Sequence, residues 1–257
     1  MRAVSLHLGA LVLTSRIWQT SAIALRAGDE AMLVDSPYFP DELDALPGLL
    51  AQAGFEVDAL VATHADFDHL LARLAFPGLA LGVGESTVER LHREPGAAQR
   101  ELRRQDESLY VERATPLGLG QVQPLPVPGR LDLGDTELEL HPAEGHTSDG
   151  TALFAPFCGV LACGDYLSAV EIPTISSGGS LEEYRATLAR LAPLVERAET
   201  VVPGHGAPLG SDEALRVLDE DVEYLDALER GEESLPPGRD SPRQRELHAE
   251  NVGRVSS

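Results

Sequence analysis

Four side chains of types that commonly bind metal ions lie within one short segment of this chain. The segment VATHADFDHLLARL, residues 61–74, contains His64, Asp66, Asp68 and His69. Neutral imidazole and carboxylate groups bind borderline divalent metals well. If the segment is extended, positions 64 and 66 project from the same face, and position 68 follows them. The spacing therefore predicts a loop that could offer ligands to two neighbouring ions.

Three more such side chains follow predicted strands elsewhere in the chain. His146 lies in EGHTSDG, Asp165 in CGDY and His205 in PGHG. Strand ends that gather at one edge of a sheet are where α/β proteins build their sites. A single residue of this kind would more often be a cap or a core residue, and Asp68 could simply cap the helix that begins near His69. Several such fragments together are harder to explain as caps, so we predict a shared site.

The hydrophobic pattern predicts the elements that must position these residues. Strands are expected where apolar residues run or alternate, and helices where they recur every three or four residues between an acidic start and a glycine stop. We predict hairpins at residues 21–36, 131–142 and 150–165, further strands at 57–62, 79–84 and 199–206, and helices at 41–55, 180–198 and 211–231, the last two capped by Ser180 and Ser211. Residues 86–113 are predicted to be helical and residues 116–130 to form a loop.

Strands followed by helices occur in nearly the same order in both halves of the chain. This repetition predicts two β-sheets packed face to face with helices outside. No clean linker interrupts the pattern, so we predict one domain over residues 1–230. A polar tail follows over residues 231–257, in which 241–252 could form a short exposed helix.

The composition narrows the class of partner. The chain has 257 residues and a net charge of −22, and all 20 of its basic residues are arginine. Such an acidic surface repels phosphate backbones, so we expect a small-molecule substrate and no nucleic-acid partner. No apolar stretch approaches the roughly 18 residues needed to span a membrane, so no membrane partner is expected. The oligomeric state cannot be read from these features.

The cysteines and the first residues favour a cytoplasmic protein. Cys158 and Cys163 are five residues apart in a predicted strand, which puts their Cα atoms roughly 16 Å apart, too far for a disulfide. A chain without a disulfide framework is usual for the cytosol. The short apolar run near residue 10 is interrupted by His7 and Gly9, so we interpret it as an opening strand rather than a signal peptide.

Taken together, the fragments resemble the signature of the metallo-β-lactamase superfamily. That signature is a His-x-His-x-Asp-His loop, then a histidine in a Gly-His-Thr context, a bridging aspartate and a final Gly-His. The resemblance spans about residues 20–210 and implies an α+β fold, a four-layer αβ/βα sandwich of two mixed sheets with outer helices. The matching residues are His64, Asp66, Asp68, His69, His146, Asp165 and His205, with Asp35 in LVDS at a position that is commonly structural.

The resemblance also implies a centre of two divalent metal ions. The implied ligands are His64, Asp66 and His146 for the first ion, Asp68, His69 and His205 for the second, and Asp165 shared between them. Two such ions would share a bridging hydroxide, and Asp68 would orient it and pass a proton to the leaving group. Zinc is the metal that the resemblance favours, and iron or manganese would also fit.

Asp66 departs from the family pattern, which has histidine there. A carboxylate is a harder and shorter ligand than imidazole, so it tolerates iron or manganese better. Two divalent ions, three aspartates and a hydroxide would form a neutral centre, whereas a histidine at this position would leave one positive charge. A neutral centre attracts anionic substrates less. Alternatively, Asp66 is not a ligand and the first position is weak or empty.

Three functions remain open at this point. The leading hypothesis is a dinuclear metal-dependent hydrolase of small esters, thioesters or lactones. The alternative is a non-haem iron oxidoreductase of the persulfide-dioxygenase type, with His64, His146 and Asp165 as a two-histidine, one-carboxylate site. The retention of Asp68 and His69 argues for two metals and against it. The third is a binding domain that kept the fold and lost catalysis.

Several residues near the motifs suggest weaker hypotheses. Tyr38 and Phe39 could form a wall of the substrate pocket. Glu144, two residues before a predicted ligand, could orient an imidazole. His248 and Asn251 could fold back over the pocket, but an exposed tail helix is the simpler interpretation. Basic residues that could bind an anionic substrate are not evident near the motifs.

Overall fold

The computed structural model describes residues 1–255. Within them lie thirteen strands and seven helices, and a 3-10 turn spans Phe67–His69. The strands are β1 Arg2–His7, β2 Ala10–Thr14, β3 Ser21–Ala27, β4 Glu30–Asp35, β5 Val57–Ala62, β6 Leu81–Gly84, β7 Val122–Leu125, β8 Gly129–Leu133, β9 Thr136–Pro142, β10 Thr151–Ala155, β11 Val160–Ala162, β12 Thr200–Val202 and β13 Leu209–Gly210. The helices are α1 Pro40–Gln52, α2 Ala72–Ala75, α3 Glu85–Arg93, α4 Ala97–Leu109, α5 Leu181–Arg197, α6 Ser211–Glu229 and α7 Pro242–Val255.

The strands form two mixed sheets. The first has seven strands in the order β1-β2-β3-β4-β5-β6-β7. Its first four strands are antiparallel neighbours, and β4 to β7 run parallel. The second has six strands in the order β13-β12-β11-β10-β9-β8, all antiparallel except the pair β11 and β12.

Alternation along the inner strands explains how the layers pack. In β3, Ile23 and Leu25 pack into the core between the sheets, whereas Ala22 and Ala24 pack with the helices outside the first sheet. Because both faces are buried, the strand reads as a nearly continuous apolar run. Helices α1, α2 and α4 cover the first sheet, and α5, α6 and α7 cover the second. The predicted fold class, a four-layer αβ/βα sandwich with two mixed sheets, is confirmed.

The predicted hairpins and the three amphipathic helices are confirmed, except that α6 is capped at Gly210 and not by Ser211, whose hydroxyl donates to the carbonyl oxygen of Val195. Three other predictions need correction. The first residues form a hairpin of two strands, β1 and β2, rather than one opening strand. The predicted helical stretch at 86–113 is split into α3 and α4 at Pro95 and Gly96, and Gly96 adopts the left-handed region with φ of 73°. The predicted loop at 116–130 contains β7, where Pro124 is tolerated because the strand lies at the sheet edge.

The helix near the end of the chain is packed rather than exposed. In α7, Leu247 joins the core of the second half, and Asn251 is fully buried. The interpretation of this helix as an exposed tail is therefore wrong, because polar side chains on its inner face find hydrogen-bond partners in the fold. No helix within residues 1–255 is both long enough and apolar enough to cross a membrane.

Candidate metal centre

Loops at the ends of four strands bring the seven predicted site residues together. The segment 64–69 follows β5 of the first sheet, and His146 lies between β9 and β10 of the second. Asp165 and His205 follow β11 and β12, which are parallel neighbours and therefore end at the same edge. The site lies where the edges of the two sheets meet, and its four histidines are almost fully buried.

The ligand atoms fall into two groups that share Asp165. In the first group, the Nε2 atoms of His64 and His146 lie 3.7 Å and 3.3 Å from Oδ2 of Asp165. The same two nitrogens lie 3.7 Å and 3.4 Å from Oδ2 of Asp66. These four atoms define the first position.

The second group uses the other oxygen of the shared carboxylate. The Nε2 atoms of His69 and His205 lie 3.1 Å and 3.5 Å from Oδ1 of Asp165. They lie 3.9 Å and 3.4 Å from Oδ2 of Asp68. These four atoms define the second position, so Asp165 presents one oxygen to each.

The chemistry of both groups fits divalent metal ions. The Nε2 atoms of His64, His69 and His146 and Oδ1 of Asp165 are buried without a hydrogen-bond partner among the described residues. A buried polar atom left without a partner costs about 1–3 kcal/mol. A tetrahedral ion with bonds of about 2.0–2.1 Å holds its ligand atoms about 3.3–3.4 Å apart, close to the separations observed here. An ion at each position would satisfy these atoms.

Each histidine of the second position is oriented by an acceptor behind the ring. Nδ1 of His69 lies 3.0 Å from Oδ2 of Asp35, and Nδ1 of His205 lies 3.1 Å from the carbonyl oxygen of Trp18. A proton on Nδ1 that is donated to these oxygens leaves the lone pair of Nε2 free for a metal. Asp35 also accepts hydrogen bonds from the backbone and the hydroxyl of Thr63, so it fixes the start of the ligand loop.

The histidines of the first position have comparable partners. Nδ1 of His64 lies 3.1 Å from the hydroxyl oxygen of Thr63. Nδ1 of His146 lies 2.7 Å from the carbonyl oxygen of Thr174, and its backbone N–H donates to the hydroxyl of Tyr166. All four rings therefore present Nε2 to the centre.

The two carboxylate oxygens of Asp66 have different partners. One faces the candidate centre, and the other contacts an arginine that was not identified from the sequence. Its Oδ2 faces the first position, and its Oδ1 accepts a hydrogen bond of 2.7 Å from Arg90 on α3. Arg90 also donates to Asp149 at 2.8 Å, and Asp149 accepts the backbone N–H of Ala65 at 2.9 Å. The neutral centre predicted from the sequence, formed by two metal ions and their ligands, did not include Arg90. The guanidinium of Arg90 adds one positive charge next to Asp66.

Comparison with known proteins assigns the family. The sequence profile of the Metallo-beta-lactamase superfamily matches residues 16–205, which is more than half of the chain. The chain belongs to the metallo-beta-lactamase superfamily. Members are generally metal-dependent hydrolases that bind divalent metals, although some are not hydrolases. The family resemblance predicted from the sequence is therefore confirmed.

Solved structures of the superfamily share the fold of this chain. A metallo-beta-lactamase family protein from Thermus thermophilus is 23% identical with a TM-score of 0.67, covering 88% of this chain and 82% of its own. A metallo-beta-lactamase from Pontibacter korlensis is 18% identical with a TM-score of 0.63, covering 85% and 98%. DIM-1 metallo-beta-lactamase is 17% identical with a TM-score of 0.62, covering 87% and 97%. At these identities the likeness is one of fold, and no curated protein matches the chain.

Within this candidate centre, opposite charges lower the pKa of Asp66 and Asp165 and raise the pKa of His146 and His205 when no metal is bound. Burial alone would lower the pKa of His146, but the hydrogen bond to Asp66 and the charge of Asp165 raise it to about 9. Burial opposes the same shift at His205, where the charge of Asp165 raises the pKa to about 10. Burial would raise the pKa of Asp66, yet its hydrogen bonds to His146 and His64 hold that pKa well below its usual range.

A glycine allows the two halves of the centre to approach each other. A Cβ atom on Gly204 would lie 2.3 Å from Oδ1 of Asp165 and 2.9 Å from Cε1 of His69. Neither neighbour can move without displacing a ligand atom, so any larger residue at position 204 would disturb both. The glycine of the Pro-Gly-His-Gly segment thus serves the site directly.

The centre opens into a cavity of about 440 Å³. Helices α4 and α7 and the segment 168–177 form much of its wall. Arg100 and Arg104 of α4 and Arg243 and Arg254 of α7 line this cavity together with the ligand loop. Basic residues were not evident near the motifs because they come from helices that are distant in sequence.

Two predicted roles near the centre are wrong. Tyr38 is fully buried and donates its hydroxyl to Asp106, so it does not form a wall of the substrate cavity, where Trp18 and Phe67 lie instead. The carboxylate of Glu144 pairs with Arg190 rather than with an imidazole. In both cases packing decided the direction of the side chain, which the sequence spacing did not specify.

Proposed function

We propose that the protein is a hydrolase that uses two divalent metal ions to cleave small esters, thioesters or lactones. The observation that carries the proposal is the division of the Asp165 carboxylate between two groups of buried imidazole nitrogens, three of which have no hydrogen-bond partner among the described residues. One oxygen lies 3.3 Å from Nε2 of His146, and the other lies 3.1 Å from Nε2 of His69. A site for a single ion would leave one of these groups unsatisfied.

In this proposal each residue has a defined role. The first position is held by His64, Asp66, His146 and Asp165, and the second by Asp68, His69, His205 and Asp165. Bound divalent ions supply a nucleophile at neutral pH and polarise the carbonyl group under attack. Asp68, which lines the cavity, accepts the proton released as the nucleophile forms and passes it to the leaving group.

The ligand types favour zinc, with iron or manganese as the alternatives. Four imidazoles suit zinc, while three carboxylates also suit harder ions. Arg90 offsets the negative charge of Asp66. An ion bound at the first position would therefore be a stronger Lewis acid than it would be with the same ligands and no arginine.

The cavity supports a small substrate that carries a negative charge. Its volume of about 440 Å³ lies in the range of pockets for small molecules. Arg100 donates to the carbonyl oxygen of Pro95 and no described carboxylate pairs with it, so its guanidinium can also bind an anionic group. With both metal positions filled, the cavity attracts anions although the chain as a whole repels them.

The alternative is a mononuclear iron oxidoreductase of the persulfide-dioxygenase type. His64, His146 and Asp165 at the first position form the two-histidine, one-carboxylate set that such iron sites use. The complete second group of ligand atoms argues against it. Iron content of one equivalent with oxygen consumption would reverse the order of the two proposals.

The test combines metal analysis with a substrate panel. Protein purified without added metal should contain two equivalents of metal and should hydrolyse at least one ester, thioester or lactone, with anionic members preferred over matched neutral ones. A phosphodiester serves as the negative control. Two bound metals without hydrolysis of any ester, thioester or lactone would contradict the proposed reaction.

A further inference from the structure

The second metal position is supported by the core of the sandwich. Asp35, which orients His69, lies at the end of the central strand β4 and is buried. His205 is held by the loop between β2 and β3, because Thr20 forms a β-bridge with His205 and the backbone of Gly206 donates to the carbonyl oxygen of Gln19. These supports belong to strands and loops that also build the sheets.

The first position depends instead on α3 for one of its ligands. The side chain of Arg90 is 13% exposed and donates to Asp66 and Asp149 with its two terminal nitrogens. A guanidinium forms such paired hydrogen bonds in a fixed geometry. Arg90 therefore holds Oδ1 of Asp66 away from the centre and leaves Oδ2 as the single facing oxygen.

The same position depends on α7 for a second ligand. Nδ1 of His146 lies against the carbonyl oxygen of Thr174, in the segment 172–175, which has no regular secondary structure. Asn251 of α7 donates to the carbonyl oxygen of Pro173 at 2.7 Å and accepts the N–H of Ile175 at 2.9 Å. The side-chain amide of Asn251 thus forms hydrogen bonds with the backbone on both sides of Thr174.

Two further side chains of α7 hold the same segment. Gln244 accepts the backbone N–H of Ile172 at 2.7 Å, and Arg254 donates to the carbonyl oxygen of Ile175 at 2.6 Å. Asn251 is fully buried and also donates to the hydroxyl of Tyr224 on α6. Each such hydrogen bond contributes about 0.5–1.5 kcal/mol. Because the hydrogen bonds to the segment 172–175 come from side chains of α7, they hold the Thr174 carbonyl in place only while α7 is docked.

We propose that α3 and α7 position the first metal site, through Arg90 on Asp66 and through Asn251 on the segment that orients His146, so that loosening either helix weakens metal binding at this site and leaves the second unchanged. This inference rests on the two-metal centre of the proposed function. It does not depend on which substrate is cleaved. Arg90 and Asn251 are positioning residues, since neither offers an atom to the metal.

The test is a metal titration of the metal-free protein and its variants, followed by calorimetry. Wild type should bind two equivalents. Arg90→Met and Asn251→Ala should each weaken one of the two binding steps by about 10–100-fold and leave the other unchanged, the usual effect of losing a residue that orients a ligand. With Co²⁺ as the probe, the visible absorption of one site should change while that of the other persists.

Matched controls come from the same helices. Arg93→Met on α3 and Arg245→Ala on α7 remove exposed arginines that do not contact Asp66 or the segment 172–175. Both controls should bind two equivalents with wild-type affinities. If Arg90→Met or Asn251→Ala fails to fold by circular dichroism, Arg90→Lys and Asn251→Asp replace them, since each keeps part of the hydrogen bonding.

Double variants locate the weakened site. In an Asp66→Ala background, where the first position is already damaged, Asn251→Ala should cause no further loss of metal. In a His205→Ala background it should weaken the binding of the metal that remains by the same factor of about 10–100. Equal weakening of both binding steps, or unchanged affinities in all folded variants, would overturn the inference. Failure of hydrolysis with two bound metals would contradict only the proposed function, and a wild type that binds no metal would overturn both.

Discussion

The two proposed metal positions share Asp165 but are supported by different parts of the fold. The second position is backed by Asp35 on a central strand and by the Trp18 carbonyl in a loop between two strands. Two ligands of the first, Asp66 and His146, are backed directly by Arg90 and indirectly by Asn251, which lie on outer helices. The same kinds of ligand atoms are thus oriented by strands and loops of the core at one position and partly by outer helices at the other.

This difference bears on the departure from the family signature at Asp66. A carboxylate in place of histidine adds a negative charge and a second oxygen that must be kept from the metal. Arg90 compensates for both, because its positive charge offsets that of the carboxylate and it donates a hydrogen bond to Oδ1. Asp66 and Arg90 therefore act as one unit at the first position.

Removal of the shared ligand should have the largest effect, because it belongs to both positions. We expect Asp165→Asn to lose both metals and to lower kcat/KM by ~10³-fold or more, since metal ions contribute several kcal/mol to stabilising the transition state. Elemental analysis and kinetics on the best substrate would measure this. Asp132→Asn, which alters an exposed aspartate of β8, should change neither quantity. Retention of one metal by Asp165→Asn would show that the two positions are independent.

Loss of one unshared ligand should separate the positions. Asp66→Ala should lose one equivalent of metal and reduce kcat/KM by about 10²-fold, because the remaining ligands hold that ion less well. His205→Ala should also lose one equivalent, but from the other position. The comparison uses metal content after dialysis together with the Co²⁺ spectrum of each variant. Unchanged metal content in Asp66→Ala would mean that Asp66 is not a ligand.

A change of pH should alter the charge of histidines at both positions, whereas substitutions in α3 or α7 should affect only the first. In the metal-free protein the pKa values of His146 and His205, about 9 and 10, lie above the ordinary value for histidine. The raised pKa values stabilise the folded metal-free state fully below about pH 6.5, and this stabilisation is lost as the pH rises through 9 and 10. The Tm of the metal-free protein should therefore fall between pH 6.5 and 10, more steeply than that of the metal-loaded protein.

Thermal scans with and without a chelator would measure this difference. Metal binding requires neutral imidazoles, so the gap in Tm between the two forms should widen as the pH rises. Curves that stay parallel from pH 6.5 to 10 would contradict the assigned charge states.

A change on the cavity wall should have the smallest effect. We expect Arg100→Ala to raise KM for an anionic substrate by a few fold, in keeping with the roughly 0.2–1 kcal/mol typical of exposed charge pairs, and to leave kcat and metal content unchanged. Arg103→Ala, an exposed neighbour on α4 outside the cavity, is the matched control. An equal rise in KM for a neutral substrate would mean that Arg100 does not select for charge.

The sequence predicted the fold and the convergence of the candidate ligands for a simple reason. Strand periodicity and turn residues are local signals, and the histidines and aspartates lie directly after the strands that those signals define. His146 and His205, although 59 residues apart, could be assigned to one site because each follows a strand.

The supports of the site could not be predicted in the same way. Arg90 lies in RLHREPG, one arginine of a charged helix, and nothing local marks it as the partner of Asp66. Asn251 lies in a polar helix whose inner face is defined only once α7 docks on the second half of the sandwich. Both roles depend on how helices pack, and a single sequence carries little information on that.

Anomalous diffraction from zinc-loaded crystals of wild type and Asn251→Ala would test the central claim most directly. The account predicts two peaks in wild type, about 3.5–4 Å apart on either side of Asp165. It predicts that Asn251→Ala keeps the peak between His69 and His205 at full height and lowers the one between His64 and His146. A single peak in wild type, or equal peaks in both proteins, would contradict it.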